Sequence, residues 1–226
     1  YVREYYITLF TDAINAINHE WDEVHAVEAL ISALPQVIEA TDAEIESAQA
    51  VILQARGAYE ALDDVQKNEV RNYSFLVSAE AALENASTIL NVIDLISQIP
   101  EVIIPAHQQI IEAAREAYDA LSEENMLLVT NYDYLVESEM VLDVVLAIEA
   151  IPEIINVENG TSIRKVRTAL SNLDEEGIDY RVGNIIDLSN AEVVLEVVEL
   201  IASIPFVISP EDADAIADAG DEYSLL

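Results

Sequence analysis

The chain has 226 residues, 52% of them hydrophobic, and its 44 acidic against nine basic side chains give a formal charge of −35. Charge of this density repels nucleic acid and anionic lipid headgroups and excludes both as partners. The absence of cysteine excludes disulfides, thiolate metal sites and thiol nucleophiles, while a mean hydropathy of +0.24 supplies the apolar surface that a disordered polyanion lacks.

In chain order, apolar runs of helical period close on proline four times, as LISALP at Pro35, LISQIP at Pro100, AIEAIP at Pro152 and LIASIP at Pro205. Proline lacks an N–H and clashes with the preceding turn, so each marks a helix end. A short apolar connector follows each one (QVIEA, EVII, EIINV, FVIS), and then a helix-start signal: Thr41-Asp42-Ala43-Glu44 as a capping box, Pro105, Thr161-Ser162, and Ser209-Pro210. The new helix carries ARGAYEAL at 55–62, AREAYDAL at 114–121 and VRTALSNL at 166–173. A short second helix follows, capped by Ser122 in the copy from 101 to 152 and running from Glu123 to about Val129.

A third helix then starts at a recurrent V-x-N-x-x-x-L, found as VRNYSFL at 70–76, VTNYDYL at 129–135 and VGNIIDL at 182–188. Asn72, Asn131 and Asn184 are read as helix N-caps, with Gly183 as the C-terminal glycine of the preceding helix. The alternative is one continuous helix of about thirty residues, which would place Gly183 in its interior at a cost of about 1 kcal/mol.

These recurrences predict an all-α fold of tandem three-helix-bundle repeats of about 52–65 residues, forming an elongated rod or superhelix. The expected divisions are 1–35, the C-terminal part of a truncated repeat; 36–100, 101–152 and 153–205, three repeats; and 206–226, the N-terminal part of another. No apolar run reaches membrane-spanning length, since Asp143, Glu149 and Glu153 interrupt the best candidate, so no membrane insertion is expected within the segment.

AAREAYDALSEENMLLVTNYDYLVESE and ARGAYEALDDVQKNEVRNYSFLVSAEAAL resemble Ala-rich three-helix modules with an A-R-x-A-Y-x-x-L…V-x-N-x-x-x-L…A-E pattern. Such modules recur in large secreted and cell-surface proteins of Gram-positive bacteria, including surface-layer and multimodular carbohydrate-active proteins. The resemblance covers 36–91 and 101–146 well, while the copy at 153–205 departs by losing both tyrosines. It implies an extracellular spacer or attachment role and carries no catalytic residues.

Candidate chemistry is sparse. HEWDEVH at 19–25 misses the His-Glu-x-x-His spacing of zinc proteases, and no nucleophile elbow, phosphate loop or dinucleotide fingerprint is present, so the chain reads as non-catalytic, with no cofactor. The acids Asp212, Asp214, Asp218 and Asp221 lack calcium-loop spacing, which leaves loosely bound cations such as calcium. Tyr59 and Tyr118 correspond to Leu170, and Tyr73 and Tyr132 to Ile185, which indicates core; Phe75 and Tyr134 correspond to Asp187 and are the aromatics nominated for partner contact.

The sharpest expectation comes from scarce arginine. Arg56, Arg115 and Arg167 share one repeat position, and an acid recurs 24, 24 and 25 residues later at Glu80, Glu139 and Glu192. Each unit is therefore expected to carry Arg56–Glu80, Arg115–Glu139 or Arg167–Glu192 as an ion pair between its first and third helices; the alternative is an arginine lying along the surface. The whole reads as a structural segment of a larger extracellular protein, a spacer, stalk, surface-layer or filament element whose partners are neighbouring repeats and other copies of the same protein. An adhesive module for a host protein or glycan is the alternative function.

Overall fold

The computed structural model describes residues 2–207 and 209–224 and is all-α among them. Tyr1, Ile208 of the last connector, Leu225 and Leu226 lie outside the described residues. The long helices are α1 (Val2–Ser32), α2 (Asp42–Ala61), α4 (Tyr73–Ser97), α5 (Gln108–Asp119), α7 (Tyr132–Glu149), α8 (Gly160–Glu175), α9 (Ile185–Ser203) and α10 (Ala213–Tyr223). Between them stand the short α3 (Asp64–Glu69) and α6 (Glu123–Met126), and single 3-10 turns at Pro105–His107, Val157–Asn159, Asp179–Arg181 and Pro210–Asp212.

The prolines act as expected, since α1, α4, α7 and α9 end two or three residues before Pro35, Pro100, Pro152 and Pro205. Helix starts follow local capping chemistry. The Thr41 hydroxyl accepts the Glu44 N–H at 3.4 Å, Asp63 accepts two N–H groups at the start of α3, and the Ser122 hydroxyl accepts Asn125 N–H at 3.3 Å. At the last start, Ser209 accepts the Glu211 N–H and donates its own N–H to Asp212. One start falls earlier than the sequence suggests: Asn156 accepts the Glu158 N–H, and Thr161-Ser162 already lie inside α8. An asparagine in extended backbone outcompetes the hydroxyl pair downstream, because the turn it caps leads directly into the helix.

The glycine that ends a helix is Gly177, not Gly183. Gly177 has φ +74° just after α8, and Ile178 N–H reaches back to Leu173 carbonyl at 2.9 Å. Gly183 serves a close approach instead: a Cβ there would lie 2.5 Å from Ile104 Cγ2 and 2.7 Å from the Ile103 carbonyl oxygen. Ile103 and Val182 form an isolated parallel bridge, in which Ile103 N–H donates to Arg181 O at 2.7 Å and Gly183 N–H to Ile103 O at 2.8 Å.

Contacts gather into two compact units, Tyr1–Val92 with Leu121–Val129, and Ile93–Ala120 with Thr130–Leu226. The dividing line falls inside α4 and not at Pro100, because the α6 segment belongs with the body of α4, where Asn125 Nδ2 donates to Asn85 Oδ1. The first unit centres on Val27, Ile31, Ile52, Ala55 and Leu76. In the second, Ile103, Ile111, Leu135, Val141, Val145 and Ile163 are nearly or wholly buried. On α7, Leu135, Ser138, Val141, Leu142, Val144, Val145 and Ile148 are all buried, about half the helix circumference, and α5, α8 and α9 all pack against it.

The longer spacing from Pro35 to Pro100 has a local origin. Pro35 precedes Arg56 by 21 residues where Pro100 precedes Arg115 by 15, and Glu80 precedes Pro100 by 20 where Glu139 precedes Pro152 by 13. The additions are about two turns at the start of α2 and at the end of α4, and the Arg-to-Glu spacing is untouched.

Candidate functional site

Two constellations recur along the chain. The first is the arginine pair. Arg56 Nε and Nη2 donate to the two carboxylate oxygens of Glu80 at 2.7 and 2.5 Å, and Arg115 does the same to Glu139 at 2.6 and 2.5 Å. Arg167 Nε donates to Glu192 at 2.6 Å, and its Nη2 closes a second bond to the same carboxylate. A planar fork matched to a carboxylate fixes the mutual rotation of two helices as well as their distance.

Aromatics complete the first two sites. Tyr59 stacks on Tyr73 with centroids 4.5 Å apart, Tyr118 on Tyr132 at 4.4 Å, and Arg56 and Arg115 lie within 5.7 Å of both rings of their pair. These tyrosines are therefore not core as their replacement by aliphatics suggested: Tyr59, Tyr118 and Tyr132 are half-buried and Tyr73 is exposed. Leu170 takes the equivalent place in the third copy as a buried residue, and there Arg167 is the most exposed of the three arginines, at 41% against 26 and 27%. The hydrogen bonds to Glu80 and then Tyr73 raise the Arg56 pKa, and those to Glu139 and Glu192 raise Arg115 and Arg167. Burial beside Tyr132 likewise pushes the Tyr118 phenol up, so its contribution to stability holds below the ordinary tyrosine pKa and fades at higher pH.

The second constellation is a joint between each V-x-N segment and the long helix before it. Asn72 Nδ2 donates to the Glu28 carbonyl and to Ser32 Oγ. Asn131 Nδ2 donates to the Ile93 carbonyl and to Ser97 Oγ, and Asn184 Nδ2 to the Val145 carbonyl at 3.0 Å. All three asparagines precede a helix, yet none caps it with its side chain, and their Oδ1 atoms are buried without a hydrogen-bond partner. The reading of Asn72, Asn131 and Asn184 as side-chain caps is thus corrected: the amide donates instead to a carbonyl 38–44 residues earlier.

Further contacts tighten each joint. Gln66 Nε2 donates to Glu23 at 2.7 Å, and the Arg71 N–H to Glu28. Tyr134 gives its hydroxyl proton to the Ile99 carbonyl at 3.1 Å and is half-buried, so its nomination for partner contact is corrected; Phe75, in the equivalent position, is about half exposed. The most deeply buried charged side chain of the joints is one that the repeat pattern does not mark. Arg181, 1% exposed, donates to the Glu101 carbonyl at 3.1 Å, Glu137 at 3.3 Å and Ser138 Oγ at 2.6 Å, with its guanidinium 4.3 Å from the Tyr134 ring centroid. It does not recur: Glu69 and Leu128 stand in its place in the other copies.

His19 lies 3.5 Å from Glu23 on an exposed helix face. Among the described residues, no three His, Cys, Asp or Glu side chains gather as a metal site would require, and no helix is long and apolar enough to cross a membrane. Comparison with models of known families, with curated proteins and with solved structures found no match.

Proposed function

We propose that this chain is a non-catalytic structural segment, a run of tandem three-helix units stacked into a rod, within a larger extracellular protein. The observation that carries the reading is the repetition of two mechanical parts: a bidentate Arg–Glu pair inside each repeat and an asparagine clamp at each joint. The wide burial around α7 supports the same view, since a helix sandwiched between neighbours needs apolar cover on more than one side. The extracellular setting rests on the resemblance to Gram-positive surface modules, and the high negative charge suits a segment bathed in divalent cations. The adhesive alternative draws on exposed Phe75 and Leu127.

Small-angle scattering tests the rod. A compact domain of 226 residues has a radius of gyration of about 17 Å. The spacer role requires a value well above that, unchanged between low and high salt; a value near 17 Å would end the proposal.

A further inference from the structure

One cavity in the unit that begins at Ile93 has a filled twin. The repeat register sets the connector after Pro152 against that after Pro100, an offset of 52, and α9 against α7, an offset of 53. In the earlier copy, the space between connector and helix is filled by Arg181, bonded to Glu101 O, Glu137 and Ser138 and laid on Tyr134, while Ile103 pairs with the backbone of Arg181 and Gly183. The corresponding residues one copy later are Glu153, Asn190, Ala191, Asp187 and Ile155, and between them lies an open cavity of about 230 Å³.

The difference in burial follows the filling. Ile103 and Val141 are wholly buried, whereas their counterparts Ile155 and Val194 are only half-buried. Among the described residues, neither the N–H nor the carbonyl of Ile155 has a backbone partner. Where the filled twin offers a guanidinium the face of Tyr134, this cavity offers the Asp187 carboxylate, beside Glu153. Both surfaces attract a cation, the first through its ring quadrupole and the second through charge.

We infer that this cavity is a socket for an arginine presented by another helical repeat, on an extended tripeptide that pairs with the backbone of Ile155 as Arg181–Gly183 pairs with Ile103. The inference rests on the correspondence between copies and not on the spacer role, which scattering tests separately. It assigns the chain a polar, directional docking point in a surface otherwise dominated by negative charge.

The probe is a synthetic peptide of residues 175–186, titrated by calorimetry into the whole chain, with a second peptide carrying Arg181→Met. Saturable binding of the first is expected, with the second at least about tenfold weaker, the loss due to missing charge-assisted hydrogen bonds. Asp187→Arg in the protein, at an exposed position, should weaken binding by a similar factor with helicity unchanged. The triple change Asp187→Tyr, Asn190→Glu, Ala191→Ser, which rebuilds the filled twin, should tighten it. No binding to the unaltered chain, equal binding of the two peptides, or indifference to Asp187→Arg would overturn the inference. So would loss of hydrogen-exchange protection at Asp179–Gly183 on binding, which would place the peptide in the resident arginine's own site.

Discussion

Arg181→Met is expected to cost about 2–3 kcal/mol, the largest loss from any arginine in the chain. Methionine keeps most of the apolar stem, so the change isolates the guanidinium. Three hydrogen bonds and the contact with Tyr134 disappear, and the Glu101 carbonyl loses its donor. Two details limit the loss: Ser138 Oγ still donates to the Tyr134 carbonyl at 2.6 Å, and the half-exposed Glu137 returns to water. Arg115→Met should cost about 1 kcal/mol, because its pair with Glu139 is partly solvated, and Arg167→Met still less for want of the tyrosine pair. Urea midpoints check the order. A neutral Arg181→Met, or an Arg115 effect exceeding it, would show that the joint is not held through this side chain.

Gly183→Ala should lose about 2–3 kcal/mol, an overpacking cost without a cavity to relieve it. The added Cβ meets the Ile103 carbonyl at 2.7 Å, and that carbonyl cannot retreat without breaking its own 2.8 Å bond from the Gly183 N–H. Gly57 supplies the control. It lies inside α2, where an added methyl would have nothing within 4 Å, so Gly57→Ala should stabilise by about 0.5–1 kcal/mol through helix propensity alone. Thermal melts of the two variants should therefore move in opposite directions. A shift of the same sign and size in both would mean that the close approach at Ile103 carries no energetic weight.

What was legible in the sequence was whatever local chemistry or strict recurrence writes down. Prolines end helices by sterics alone, Ser209 and Ser122 cap them by reaching two or three residues ahead, and Arg56, Arg115 and Arg167 stood out because a rare side chain kept a fixed distance from an acid. The joints were illegible for the opposite reason. An asparagine before a helix looks the same whether its amide caps the next turn or clamps a carbonyl 39 residues back, as Asn184 does at Val145. Gly183 fits a helix end equally well until the connector at Ile103 is seen against it. Arg181 stands where the other copies have Glu69 and Leu128, so recurrence could not mark it, and the same comparison set Tyr134 near solvent only because its counterpart is Asp187.

Nearest-neighbour stacking is the central proposal behind the spacer role, and segment-resolved hydrogen exchange on a chain lacking residues 206–226 tests it most directly. Removing α10 uncovers α9, against which it packs. In an array the free energy lost is local. Protection should fall most in α9 and α8, less in α7, and remain unchanged in α2. An equal loss of protection from α2 to α9 would contradict the account, because it would mean that the helices share one cooperative core.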